Sequence, residues 1–474
     1  MADLHELSAL DLAAAIRSGE VSAVDAVDAA LARAERLGQQ LGAFVTMTGD
    51  AARDQATAAD AQRGRGVDLP PLLGVPTAIK DLNMTAGIAT KLGSAAFADF
   101  VPDHDDAIVT LLRAAGTISL GKTNTPELGL PCYTEPDVAP PARSPWDPER
   151  SAGGSSGGAA AAVAAGIVPL AQASDGGGSI RIPASVCGLV GLKPSRGRVS
   201  GGPVDSGAWS GLSTDGMLTR TVRDSAAALD AVAHSQPGDR YVSPRPEMTF
   251  LDAAQREPGR LRIGRLTGNL LGAPVDPVCQ EAADATCRLL ESLGHDVEDL
   301  TLEAPADALL GFTILWVAGA AAVPVPEGRE DLLRPLTREL RARGRDVSAA
   351  QLVQAMTKLD GLTRSLLAQS AHVDVVVSPT LAQLPALVGQ LRDDAQPLAD
   401  FGGQALYTPY TSVLNVTGQP SMSLPLQWHS RADGPDLPVG VMLTGKPYDE
   451  ALLLSVGVQL EQAQPWAGRR PVVW

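Results

Sequence analysis

Residues Ser151–Ser195 read SAGGSSGGAAAAVAAGIVPLAQASDGGGSIRIPASVCGLVGLKPS. Ser155 and Ser179 each stand among glycines, 24 positions apart, on either side of an alanine-rich run that predicts a buried helix. Glycines at this density let backbone N–H groups approach a ligand and permit dihedrals that a Cβ forbids. A serine in such a loop is a candidate nucleophile, because its hydroxyl attacks only where a base takes its proton and fixed donors receive the developing charge. A plain Gly/Ser surface loop accounts for one such motif, but not for a second, SDGGGS, at this separation.

Working outward, PPLLGVPTAIKDLNM (70–84) predicts a core strand that ends at Lys80 and Asp81. A lysine at the end of a core strand is partly buried, and burial lowers its pKa. Strand alternation turns Asp81 to the opposite face. Residues 8–62 carry apolar residues at helical spacing and predict two or three helices. The stretch 108–129 reads as helix, glycine cap, strand and loop, with Leu111–Ala115 helical and Thr117–Leu120 extended. Downstream, Leu218–Ala233 and Cys279–Leu293 predict helices and Leu261–Leu266 a strand. The C-terminal region predicts a pair of short apolar strands and a closing helix. Such alternation implies helices packed on a central sheet.

Three local patterns point elsewhere and fail on context. Gly116–Thr123, GTISLGKT, fits the phosphate-binding pattern GxxxxGK(S/T), but there the strand precedes the loop and a helix opens at its end, the reverse of the order here. Ser119 and Lys122 fit SxxK, which needs its serine at a helix start. GGSSG around Ser155 fits the nucleophile elbow GxSxG, which needs a preceding strand and a late histidine base. The preceding ARSPWDPERSA reads as turns, and His372 and His429 sit in contexts that predict no part in the chemistry.

The chain has 474 residues, 38 Lys+Arg against 54 Asp+Glu, and a net charge of −16, which would repel phosphate backbones and excludes nucleic acid as a natural partner. Hydrophobic residues make up 45%, ample for a core. No linker divides the chain, so one α/β domain with an inserted region is expected. Cys132, Cys187, Cys279 and Cys287 form no CxxC pair, which suits a reducing cytoplasm and gives no metal site. The start, MADLHELSALDLAAAIRSGE, has no basic-then-apolar leader and reads as an amphipathic helix. The 19 uncharged residues Ala308–Pro326 approach membrane-spanning length, yet their glycines, prolines and acidic flanks predict a core or pocket-lining helix and no membrane association.

The quoted stretch resembles the amidase signature family, serine hydrolases that cleave amides with a Ser–Ser–Lys triad; in look it is nearest the bacterial aryl-acylamidase and cyclic-oligoamide hydrolase type. The match is strongest from Gly74 to Pro194 and continues weakly through Asn415–Pro425. It implies an α/β/α sandwich on a large mixed sheet, with N-terminal helices (1–65), a signature core (66–235), a variable pocket-shaping region (236–400) and C-terminal strands and helix (401–474). It implies Ser179 as nucleophile, Ser155 after a cis peptide as proton shuttle and Lys80 as base. The backbone N–H groups of Gly176, Gly177, Gly178 and Ser179 would form the oxyanion hole, with Asp175 and Arg181 positioning the loop. Leu128, Gly129, Tyr133 and Trp316, with Val138 and the Phe312–Trp316 helix, are expected to line an apolar pocket. The implied reaction is hydrolysis of small neutral amides, with carbamates or esters within reach of the same triad, no cofactor or metal, and room for a homodimer. A glutaminase subunit of a tRNA-dependent amidotransferase is the alternative, and a nucleotide-binding module through GTISLGKT a remote one. The chain departs from the family pattern at Gly176, commonly a branched residue, and at Ser144, Ala152 and Ala159.

Overall fold

The computed structural model describes residues 3–66, 68–204 and 208–474. Its strands are β1 (Phe44–Met47), β2 (Pro76–Lys80), β3 (Ile118–Thr123), β4 (Arg143–Ser144), β5 (Asp147–Ser151), β6 (Leu170–Asp175), β7 (Val190–Lys193), β8 (Thr214–Thr219), β9 (Arg262–Leu266), β10 (Asp296–Leu300), β11 (Val375–Pro379), β12 (Ser421–His429) and β13 (Leu437–Gly445). Eight of them form one mixed sheet in the order β10-β9-β11-β13-β12-β7-β8-β6. Within it β9 runs parallel to β10 and β11, and the remaining pairs are antiparallel. A three-stranded sheet, β1-β3-β2, abuts its β6 edge. No backbone ladder crosses that seam; instead Thr77 Oγ1 donates to Leu170 O (3.2 Å) and Lys80 N–H donates to Gln172 Oε1 (2.9 Å).

Helices cover both faces, as an α/β/α sandwich requires. Ala23–Leu37, Gly157–Ala164 and Arg181–Cys187 share one apolar core with the sheet; Val222–Val232, Pro277–Ser292 and Glu450–Ala463 share the other. Their starts are written in the chain: Ser8, Ser22 and Thr221 each accept from the amide three residues on, a cap that settles an orphan N–H of the first turn. A third group, Leu310–Ala322, Pro335–Arg345, Ala349–Gln369 and Pro397–Tyr407, packs mainly on itself and forms a helical cap beside the sandwich. Residues between 236 and 400 thus supply most of this cap and strands β9 to β11.

Some local expectations change. The segment before Ser155 is extended, not turn-rich, since β4 and β5 pair as a hairpin. Leu218 and Thr219 end β8, and the helix begins only at Val222, where the Thr221 cap marks it. A strand, β1, separates the N-terminal helices, and β12 and β13 are nine residues each, longer than the short strands expected. The uncharged run at 308–326 folds as a 13-residue helix, Leu310–Ala322, and no helix among the described residues is long and apolar enough to cross a membrane.

The helix Gly157–Ala164 is buried throughout, packed on β6 and β4 and also touching β1 and β3. A Cβ at Gly158 would lie 2.3 Å from Asn124 N and 2.5 Å from Ala43 O, so the backbone is flush against neighbours that cannot turn away. Gly158→Ala is therefore expected to destabilise the fold by about 3 kcal/mol, the upper end of overpacking costs. Gly64→Ala, in an exposed helical turn with nothing within 4 Å, should be neutral or stabilising. Urea denaturation of the two variants checks the contrast.

Candidate active site

Lys80 ends β2 with no solvent exposure. Its Nζ lies 2.8 Å from Ser155 Oγ, 3.1 Å from Ser174 Oγ and 3.3 Å from Ser174 O. Burial lowers its pKa to about 7, although Asp175 and Asp215 pull it back up. A neutral amine has two N–H donors and one lone pair, so among these oxygens the carbonyl must accept and one hydroxyl must donate to nitrogen. The geometry therefore suits a lysine that takes a serine proton. Asp81 is turned away, as alternation predicts: its carboxylate accepts from Lys91 N–H (3.0 Å), and it is not among the charges acting on Lys80.

Ser155 follows a cis Gly154–Ser155 peptide, and its carbonyl accepts from Thr125 Oγ1 (3.0 Å). Ser179 lies just beyond β6, on the loop that opens the Arg181–Cys187 helix, and its Oγ has no hydrogen-bond partner among the described residues. The loop is held by Asp175, whose carboxylate accepts from Gly178 N–H (2.7 Å), Ile180 N–H (3.1 Å) and both ends of the Arg181 fork (2.9 Å each). Burial alone would raise the Asp175 pKa, but Arg181 overcomes it and holds the carboxyl well below the usual carboxylate range. Arg181 also donates to Thr411 O (2.9 Å) and Asn415 Oδ1 (2.8 Å), Asn415 Nδ2 donates back to Asp175 (2.9 Å), and Thr411 Oγ1 donates to Gly177 O (2.6 Å). Of the amides expected to face an oxyanion, that of Gly178 is taken by Asp175; those of Gly176, Gly177 and Ser179 have no acceptor among the described residues.

Ser179 opens on a cavity of about 120 Å³ whose other walls include Leu130, Cys132, Ile182, Phe312, Trp316 and Phe401. No acidic or basic side chain lines it. Trp316 is stacked between Trp209 and Phe312, with ring centroids 4.7 and 5.3 Å apart. A Cβ at Gly176 would sit 3.2 Å from the Trp316 ring, and one at Gly177 3.3 Å from Phe312, so the aromatic stack fills the room that a branched side chain at 176 would take.

The other expected pocket residues lie elsewhere. Leu128 faces a separate recess beside Ser174 and Asp215. Gly129 lies against Leu82 and Ser155 Oγ. Tyr133 is buried, its hydroxyl donating to Asp400 (2.6 Å), and neither it nor Val138 lines the Ser179 cavity. Ser174, Thr411 and Asn415 carry no motif signal in isolation, and their roles come from the packing of distant segments. Of the discounted patterns, Lys122 is buried, its Nζ bonded to Asn83 O and the Thr85 and Thr90 hydroxyls. Exposed His372 pairs with Glu298, and no histidine lines the Ser179 cavity.

The family model for amidases matches residues 25–454. The chain is 40% identical over 475 residues to the putative amidase AmiB2 of Mycobacterium tuberculosis, covering 99% of each. It is 35% identical over 478 residues to the 6-aminohexanoate-cyclic-dimer hydrolase of Paenarthrobacter ureafaciens, covering 96% of this chain and 94% of the other. A solved structure of a 6-aminohexanoate cyclic dimer hydrolase superposes with a TM-score of 0.91 at 33% identity, covering 100% of both chains.

The contact between Gly176 and the aromatic stack is testable. Gly176→Val should push Trp316 out of register and lower kcat/KM about 10- to 100-fold, the kinetic equivalent of ~1–3 kcal/mol of overpacking. Adding Trp316→Ala should restore some of that loss. Steady-state kinetics of the single and double variants give the coupling; additive losses would separate the two residues.

Proposed function

The chain belongs to the amidase signature family and hydrolyses amide C–N bonds, and from that premise we propose that it acts on small, neutral, largely apolar amides through an acyl-enzyme on Ser179. The carrying observation for the substrate class is the wall of the Ser179 cavity, aromatic and aliphatic with no charged side chain. An ionic acyl group would lose its hydration there without a partner. Aryl amides, oligoamides and the acyl side of carbamates fit such a wall.

In the proposed mechanism, Ser155 passes the Ser179 proton to the neutral Lys80 amine as Ser179 Oγ attacks the acyl carbon. Support comes from the 2.8 Å contact between Lys80 Nζ and Ser155 Oγ and from the lowered lysine pKa. The bond from Ser179 to Ser155 is the one that substrate must tighten, a common feature of unliganded sites. The amides of Gly176, Gly177 and Ser179 receive the oxyanion, while Gly178 serves to fix the loop on Asp175. Collapse of the tetrahedral intermediate breaks the C–N bond, and Lys80 returns its proton through Ser155 to the departing amine. Water then attacks the acyl carbon by the same relay in reverse, releasing the acid and Ser179. The four cysteines are buried and unpaired, in keeping with a reducing cytoplasm as the working compartment. Against the glutaminase reading stands the same wall: glutamine carries an ammonium and a carboxylate, and neither finds a counter-charge in it.

Because the working form of Lys80 is unprotonated, kcat/KM should climb with pH through about 7 and level off above it. Lys80→Arg keeps the charge but cannot give up its proton, so the variant should fold, lack activity and resist labelling of Ser179 by a fluorophosphonate. Substantial turnover in that variant would abandon the relay. An anilide should be cleaved far better than either glutamine or a dicarboxylate monoamide; the reverse order in a kcat/KM comparison would overturn the substrate class.

A further inference from the structure

A second cavity, of about 190 Å³, opens at the carboxyl ends of the parallel strands β9, β10 and β11. In open α/β sheets this is the crevice where ligands settle, since connecting loops separate there and leave backbone polar groups at strand ends. The chain runs from β9 out to β10 on one side and returns to β11 on the other, so the strand order reverses at this place. The walls join Leu266 at the end of β9 and Asn269 after it, Leu302 after β10, Ser378 on β11, and Tyr410 and Thr417 from the C-terminal segment. This cavity and the one at Ser179 share no lining residue.

The lining defines a ligand class. It is aliphatic with scattered hydroxyl and amide groups, and it has no acidic or basic side chain. Burial raises the pKa of the Tyr410 hydroxyl and keeps it neutral. A charged ligand would be desolvated without a partner, whereas a neutral molecule with an apolar body and one or two hydrogen-bonding groups would not. Apolar cavities of roughly 150 Å³ accept a single six-membered ring, so a monocyclic compound fits the space.

The wall that closes this cavity also holds the Ser179 loop. Tyr410, Val413, Leu414 and Thr417 face the cavity, while between them Thr411 donates to Gly177 O and Asn415 bonds Asp175 and Arg181. Met442, also in the wall, has its sulfur 3.7 Å from Arg181 Nη1. An occupant is one side chain away from the pair that shapes the loop. We propose that this cavity is a second ligand site, for a small neutral monocyclic amide, alcohol or phenol, and that its occupation alters turnover at Ser179 through the 410–417 segment.

The coupling, though not the binding, rests on the role proposed for the Ser179 loop. Benzyl alcohol is the probe, since it has no acyl carbon to be attacked. Enzyme capped at Ser179 with a fluorophosphonate removes the first cavity from the measurement, and mass spectrometry of the adduct reports separately whether Ser179 is the nucleophile. Calorimetric titration of capped enzyme should show one saturable site, lost in both Leu302→Trp and Ser370→Phe, which fill the cavity from different walls. In uncapped wild type, benzyl alcohol should change kcat several-fold, and in the filled variants it should not. No binding to capped enzyme, or binding that survives both substitutions, overturns the site. Binding that leaves kcat unchanged overturns the coupling.

Discussion

The proposed mechanism needs an amine kept in the protein interior without its proton, and most of the arrangement around Lys80 suits that demand. Water would charge it, so it is placed where no water reaches, at the end of a strand covered on every side. Carboxylates stabilise the charged form, and two lie near enough to matter, Asp175 and Asp215. Asp175 is committed to Arg181. Asp215 is half-buried near Asp106, its pKa raised to about 7 by desolvation and then by that neighbour, so near neutrality it favours the charged lysine with only a fraction of a charge. Burial is the larger influence on the base, and the muted charge of the nearby acids leaves it in force.

The chemistry and the selectivity are carried by different regions of the fold. The proposed nucleophile, shuttle and base sit on the sandwich, at a strand end and on short loops held by a buried ion pair. The cavity walls come largely from helices beside it, above all the Phe312–Trp316 turn pressed on the glycine loop. A rigid frame can thus hold the same reaction while the cap is rewritten for other acyl groups, and at this contact the two regions constrain each other.

What the chain disclosed follows the same division. Lys80, Ser155 and Ser179 stood out in the sequence because glycine-rich loops and a strand end leave dense local marks, and the structure brings Lys80 and Ser155 into contact. Helices on a central sheet were legible from alternation, and the α/β/α sandwich from the family resemblance. The cavity was not: Leu128, Gly129 and Tyr133 were expected to line it, yet the walls beside Ser179 include Leu271, Phe401 and Thr408, roughly 90 to 230 positions further along the chain. The supports of the loop, Thr411 and Asn415, were hidden for the same reason, since long-range contacts leave no spacing to read. Gly178 shows a finer limit: the loop was evident, but which amide faces the substrate depends on where the Asp175 carboxylate turns. The β4–β5 hairpin escaped because its prolines and charges read as turns while its pairing is with itself.

The seam between the two sheets gives the site an unusual mechanical character. Lys80 belongs to the three-stranded sheet and Ser179 to the end of the eight-stranded one, so the distance across the relay is also the distance between two bodies. Bonds that involve the side chains of Thr77, Gln172 and Lys80 itself tie the neighbouring strands at that joint, where a ladder would have tied them backbone to backbone. A slip there, too small to melt either sheet, opens the relay first. The enzyme would thereby act as a gauge of its own assembly: on heating, catalysis should fade before ellipticity does, and the gap between the two curves would measure how firmly the halves are docked.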